Sequence, residues 1–565
     1  QMAVQNEVLV KTDVQHEVSR RRILHGAALT TGAAGFAIAA GGTGSFLNPA
    51  LAGAQDATPA TAAGSGTLIE GFTRPIGLLA PIVDADRQTL FLFDTLVAVD
   101  PATLQPIPNL AESWTISEDG LTYTFTLASG VTFHDGEPFD SADVKFTFDL
   151  LLNEATASAY FSLFSGRVAT VEATDASTIV VTLTAPSPTF LNDLSSYSIG
   201  ILPEHLLADV APEAVAASEF ATTKPVGTGP FKLGEFRAGE ALILEANPDY
   251  FRGAPKLEGY VLKVLGDTTV AYQQLKTGEV DVAPIAADFF EDAQAQENFT
   301  PVVIDTFGIS FLSFNQDATT GSAALQDIAV RQAIFLAIDR QLIIDRILSG
   351  LGKVAVGSQP PASFAAQPDA ITAETLAYDP AKAMALLDAA GWVAGDDGIR
   401  AKDGVKLSFS ALANAATKTN EGIVLAIQEF LLEVGIELTP AFEADAYWDK
   451  LLGKQFQIAL VAYTFAPDPD QSLAWSSTSP YNPNGYSNPE VDALLTRGLA
   501  ATDIDERKGI YLEIENILLT DLPAAVLIFD QRVTGVNNRI QNYVPTAVGY
   551  YWAIHHDAPT WAVAE

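Results

Sequence analysis

The sequence predicts an α/β protein of several domains, on three observations. The chain has 565 residues, and single domains typically run to ~100–200 residues, so about three are expected. The first half of the chain carries hairpin patterns, alternating apolar and polar residues around short turns. From about Phe307 the pattern changes to helices and strands in alternation, the order that builds parallel pairing.

The elements follow in chain order. Trp114 to Leu127 reads as a hairpin: Leu121, Tyr123, Phe125 and Leu127 alternate with threonines around a turn at Glu118-Asp119-Gly120. Asp140 is expected to cap a helix, with Asp143 near its positive end and Val144, Phe148, Leu151 and Leu152 on its apolar face. Residues 227–246 predict a second hairpin, turning at Arg237-Ala238-Gly239. No Gly-Lys-Ser/Thr follows Gly227-Thr228-Gly229, so this cluster is not a phosphate loop. Val330, Ile334, Ala337 and Ile338 share one helical face. Asp379-Pro380 starts a helix that Gly391 ends. Val405–Leu412, Thr417–Val434 and Ile436–Leu438 read as a strand–helix–strand unit, closed at Gly435, and Phe456–Tyr463 as a further strand.

At the N-terminus, Ser19-Arg20-Arg21-Arg22-Ile23-Leu24 precedes an Ala/Gly/Thr-rich apolar run and then Ala50-Leu51-Ala52. A basic segment, an apolar run and small residues at a cleavage position mark residues 1–52 as an export signal. The arginine pair resembles the twin-arginine type, which exports folded proteins. Residues 53–66 read as a flexible leader.

Composition narrows the function. The absence of cysteine excludes disulfides, thiolate metal sites, thiol nucleophiles and a lipid anchor on cysteine. A net charge of −38 argues against nucleic-acid binding, because phosphates would be repelled. No G-x-S-x-G or H-E-x-x-H motif supports a hydrolase, and the proline inside Asp468-Pro469-Asp470 suits a rigid turn better than a catalytic acid pair. His134 is expected to bond turn backbone. His555 and His556 are adjacent and poorly placed to chelate one ion, so no metal or other cofactor is expected.

The segment NLAESWTISEDGLTYTFTLASGVTFHDGEPFDSADVKFTFD, Asn109–Asp149, resembles the diagnostic stretch of the family 5 extracellular solute-binding proteins. PVGTGPFKL, ANPDYFRG, VRQAIFLAIDR, LLDAAGW, PDPD and GYSNPEVDALL follow in the family's order. The resemblance runs from about Thr67 to near the C-terminus. It implies a two-lobed, periplasmic-binding-protein-like α/β fold with an extra domain and a hinge. Residues 67–96, 221–305 and 531–565 would form lobe one, 97–220 the extra domain packed on it, and 306–530 lobe two. It further implies an exported, monomeric, non-enzymatic protein. Such a protein captures a small solute, a peptide or an oligosaccharide, and hands it to an ABC permease driven by ATPase subunits.

Ligands of parallel α/β layers sit beyond the carboxyl ends of strands. This directs attention to the loop after strand 456–463, with Tyr463, Phe465, Asp468, Asp470 and Trp475 as ligand-binding candidates, and Phe72 and Trp552 from the opposite wall. In peptide-binding members an aspartate three residues before an Asp-Pro step pairs with the ligand's amino group. Here Asp468-Pro469 puts Phe465 at that position. An apolar or stacking face is therefore expected there, unless Asp468 or Asp470 supplies the charge.

Overall fold

The computed structural model describes residues 66–83, 87–101, 103–196, 199–317, 319–373, 377–546 and 555–564. The export signal 1–52, all of the leader but its last residue, and Trp552 lie outside the described residues. Its backbone is an eleven-stranded mixed sheet. At one end, Thr67–Phe72 pairs in parallel with Gly259–Val264, which continues antiparallel into Ala241–Ala246 and Phe231–Arg237. At the other end, Ser408–Asn414 pairs in parallel with Glu437–Glu443 and with Ile458–Thr464. Two long strands, Phe299–Phe314 and Ala524–Asn537, lie side by side in the middle and belong to both ends.

Local chemistry explains most boundaries. Asp140 accepts from Ala142 N while Asp143 accepts from Asp140 N, a reciprocal capping box that starts the helix Ser141–Leu151. Asp379 caps Pro380–Ala389, and Gly391 follows with φ +85°. Gly435, at φ +83°, closes Lys418–Glu433 before the strand Glu437–Glu443. The hairpins fall at Ala111–Ile116 with Thr122–Leu127, and at Phe231–Arg237 with Ala241–Ala246. The first joins Thr178–Leu183 and Val168–Asp175 in a separate four-stranded sheet.

One expectation is corrected. Val405–Leu412 is not one strand: Val405–Lys406 turns back at Gly404 to pair with Arg400–Lys402, and the sheet strand begins at Ser408.

Gly227 and Gly229 have a steric reason. A β-carbon on Gly227 would lie 2.0 Å from the Leu92 carbonyl oxygen, so two backbones touch where only glycine fits. His134 bridges this turn, with Nε2 3.0 Å from Gly229 O and Nδ1 accepting from Gly227 N at 3.3 Å. Burial lowers its pKa to about 4, so the imidazole is neutral.

The apolar residues form separate cores. One runs from Leu68 through Phe125 and Phe148 to Trp561. A second holds Ile334, Leu387, Phe409, Ile427 and Leu460. A third gathers Phe311, Tyr463, Phe465, Trp475 and Tyr511, and takes in Leu90, Val99 and Leu104 from the N-terminal part of the chain.

Candidate ligand-binding cleft

The two long strands do not run in one register. Phe299–Asp305 pairs with Asn537–Gln531, the ladder shifts between Asp305 and Ile309, and Ile309 resumes opposite Phe529. Side chains repair the break. The Thr306 hydroxyl donates to Asp530 O at 2.9 Å and accepts from Gly308 N at 3.0 Å. The Ser310 hydroxyl donates to Asp530 Oδ1 at 3.2 Å. A β-carbon on Gly308 would lie 2.5 Å from Asp530 Oδ2, so glycine at 308 makes the room that carboxylate occupies.

A cavity of about 480 Å³ opens along this break. Ile304, Thr306, Asp530 and Arg532 come from the long strands, Pro284 and Ile285 from one side, and Leu348, Leu351 and Thr464 from the other. A second cavity, of about 330 Å³, continues along Glu70, Phe72, Arg74 and Tyr543. The two share Pro284, Ile304, Arg532, Thr534 and Thr546, so they form one groove. Its size is that of a site for a small organic ligand.

The groove is polarised. Asp530, Arg532 and Thr534 alternate along one strand and therefore share a face. Burial pushes the Asp530 carboxyl above the usual carboxylate range, against the pull of Ser310 and Arg532. Arg532 and Arg74 are exposed, and Arg74 lies 5.2 Å from the centre of the Phe72 ring. Glu70 is buried and accepts from the Tyr260 hydroxyl. Such a groove offers a carboxylate to an ammonium group, guanidinium groups to a carboxylate, and apolar walls between them.

The candidates named from the sequence are placed differently from one another. Phe72 and Thr464, the neighbour of Tyr463 and Phe465, line the groove. Tyr463, Phe465 and Trp475 are buried in the third core, where Phe465 meets Tyr463 edge-on at 6.2 Å. Trp475 Nε1 donates to Gln471 at 3.0 Å, Gln471 donates to Ser358 O, and Gln359 donates to Pro469 O. Asp468 forms a 2.7 Å ion pair with Arg507, whose side chain is 5% exposed. Asp470 accepts from Ser472 N and its hydroxyl, and burial raises its pKa. The loop thus turns most of its polar groups onto its own surroundings, and the second Asp468 oxygen, Oδ2, is buried without a hydrogen-bond partner.

Sequence reasoning missed Asp530, Arg532 and Arg74. A signal was present: Asp530-Gln531-Arg532 interrupts an otherwise apolar strand, AAVLIFDQRVTGV, which charges do not do without cause. Among the described residues, no group of three or more His, Asp or Glu is placed to hold a metal ion.

Comparison with known proteins supplies the family. Residues 105–485 match the model of the bacterial extracellular solute-binding proteins, family 5. An ABC transporter peptide-binding protein of Brucella ovis is 30% identical over 489 residues, covering 84% of this chain and 88% of that one. The oligopeptide-binding protein AppA of Bacillus subtilis, solved with a nonapeptide, superposes with a TM-score of 0.65 at 26% identity, covering 89% of this chain and 99% of that one. The substrate-binding protein CtaP of Listeria monocytogenes reaches a TM-score of 0.74 at 27% identity, covering 89% and 100%.

Proposed function

The chain belongs to the bacterial extracellular solute-binding proteins of family 5, and on that premise we propose that it holds a peptide in the groove along its two long strands. It is the substrate-binding component of an ABC importer, with the two-lobed fold of its relatives. The family carries solutes to transporters rather than converting them, and no catalysis is assigned to this chain.

One observation carries the reading. The groove opens where the paired long strands break register, and its walls come from both ends of the sheet. We take residues 67–96, 221–305 and 531–565 as lobe one, 97–220 as the extra domain and 306–530 as lobe two. The breaks at Asp305–Ile309 and beside Asp530 are then the hinge, and rotation about them closes the lobes on the ligand. Peptide suits the groove because its two termini match the two signs of charge present there. The protein acts as an exported monomer, residues 1–52 being its signal, and its partners are a permease and its ATPase subunits.

The test is thermal denaturation with tetrapeptide pools and, separately, with oligosaccharides. A ligand that binds only the native state raises stability by about 2.7 kcal/mol at a hundredfold excess over Kd. Stabilisation by peptides and not by sugars supports the reading. The reverse overturns it.

A further inference from the structure

We propose that Asp530 is the group that holds the ammonium of the bound peptide, at the register break between the two long strands. This rests on the reading of the chain as a peptide carrier and says where, and on what condition, the peptide is recognised.

The argument starts from which acids are already engaged. Asp468 is bound to Arg507, Asp470 to Ser472, and Glu70 to the Tyr260 hydroxyl. Asp305, at the same break, gives one oxygen to Lys353 at 2.7 Å and the other to Gln531 at 2.8 Å. Asp530 differs. Its side chain accepts from the Ser310 hydroxyl on Oδ1, and among the described residues no cation closes an ion pair on it. It is the acidic residue lining the larger cavity. Arg532, two residues on, draws on the carboxyl at longer range without closing a pair; a carboxylate drawn out of water without a paired cation is costly, and a ligand ammonium would supply one.

The surroundings look built for this. Gly308 faces the carboxylate, and any side chain there would collide with Oδ2. Thr306 and Ser310, on the partner strand, fix the Asp530 backbone and one of its oxygens. The carboxyl is thereby held at the break in the ladder, where a ligand touching it also touches Thr464 and Leu351 across the cavity. Burial raises its pKa, and an ammonium partner would act in the opposite direction, favouring the ionised form. Phe465, the loop position facing this end of the sheet, is enclosed in an apolar core and offers no charge.

Calorimetric titration with two pools of lysine-free tetrapeptides tests this, one pool with free amino termini and one N-acetylated. Wild-type protein should bind the free-amine pool roughly a hundredfold more tightly, the usual effect of losing one partner of a desolvated charge pair. Asp530→Asn should reduce the free-amine pool to the acetylated level, and Asp530→Glu should restore part of the difference. Binding of the free-amine pool should weaken as pH falls through the raised pKa of Asp530, because the protonated acid loses its charge, and Asp530→Asn should remove that dependence. Equal binding of both pools to the wild type overturns the anchor and leaves the peptide reading standing, whatever the variants do. Discrimination that survives Asp530→Asn also overturns it. Binding of neither pool removes the peptide reading and the anchor together.

Discussion

Two regions of this molecule present aspartates to a reader of the sequence. The 463–475 loop is dense in aromatics and acids and follows a parallel strand. The long strands offer one Asp-Gln-Arg step inside an apolar run. In three dimensions the loop's groups are turned inward: Asp468 pairs with Arg507 through one oxygen while the other is buried out of a ligand's reach, Asp470 accepts from Ser472, and Trp475 donates to Gln471. The long strands keep a carboxylate and a guanidinium facing a groove. The contrast teaches that density of chemical groups does not identify a binding site. What identifies it is a group whose partners are incomplete where a ligand can reach.

The largest effects that separate the two regions are on stability, and they belong to the loop. Trp475→Ala removes a fully buried ring and should cost about 4 kcal/mol in denaturant unfolding. Asp468→Asn leaves the buried Arg507 without its counter-charge and should cost about 3 kcal/mol. Either variant unfolding at the wild-type midpoint would mean the loop is not the packed element described here. Next comes Gly308→Ala, whose methyl must displace Asp530. Overpacking of this kind costs about 1–3 kcal/mol, and peptide affinity should fall with it. Smallest in stability is Arg532→Ala, an exposed position expected to change unfolding by less than about 0.5 kcal/mol. It should nonetheless weaken free-acid peptides about tenfold while leaving C-terminally amidated ones unaffected. Equal losses for both forms would remove Arg532 from the recognition of the carboxylate.

Local rules were legible in the sequence because their causes are local. The capping box at Asp140 and Asp143, the Asp379-Pro380 start and the Gly435 stop each need only a few neighbouring residues. Val405–Leu412 misled because alternation gives a strand's faces and not its partner, and Gly404 folds the first two residues onto Arg400–Lys402. The groove was illegible for a stronger reason. Ser310 and Asp530 are 220 residues apart, and no local pattern brings them together at the groove. Tyr463, Phe465 and Trp475 have the same composition whether they line a site or fill a core, so the residues alone could not divide those roles.

The account's central claim is that ligand is held at the register break of the long strands and not by the aspartates of the loop. A crystal structure of the protein with a free-amine tetrapeptide tests this most directly. The peptide should lie in the cavity bounded by Ile304, Thr464 and Arg532, its amino nitrogen within hydrogen-bond distance of Asp530, with Asp468 still paired to Arg507. An amino terminus on Asp468 or Asp470, with the Arg507 pair broken, would contradict the account.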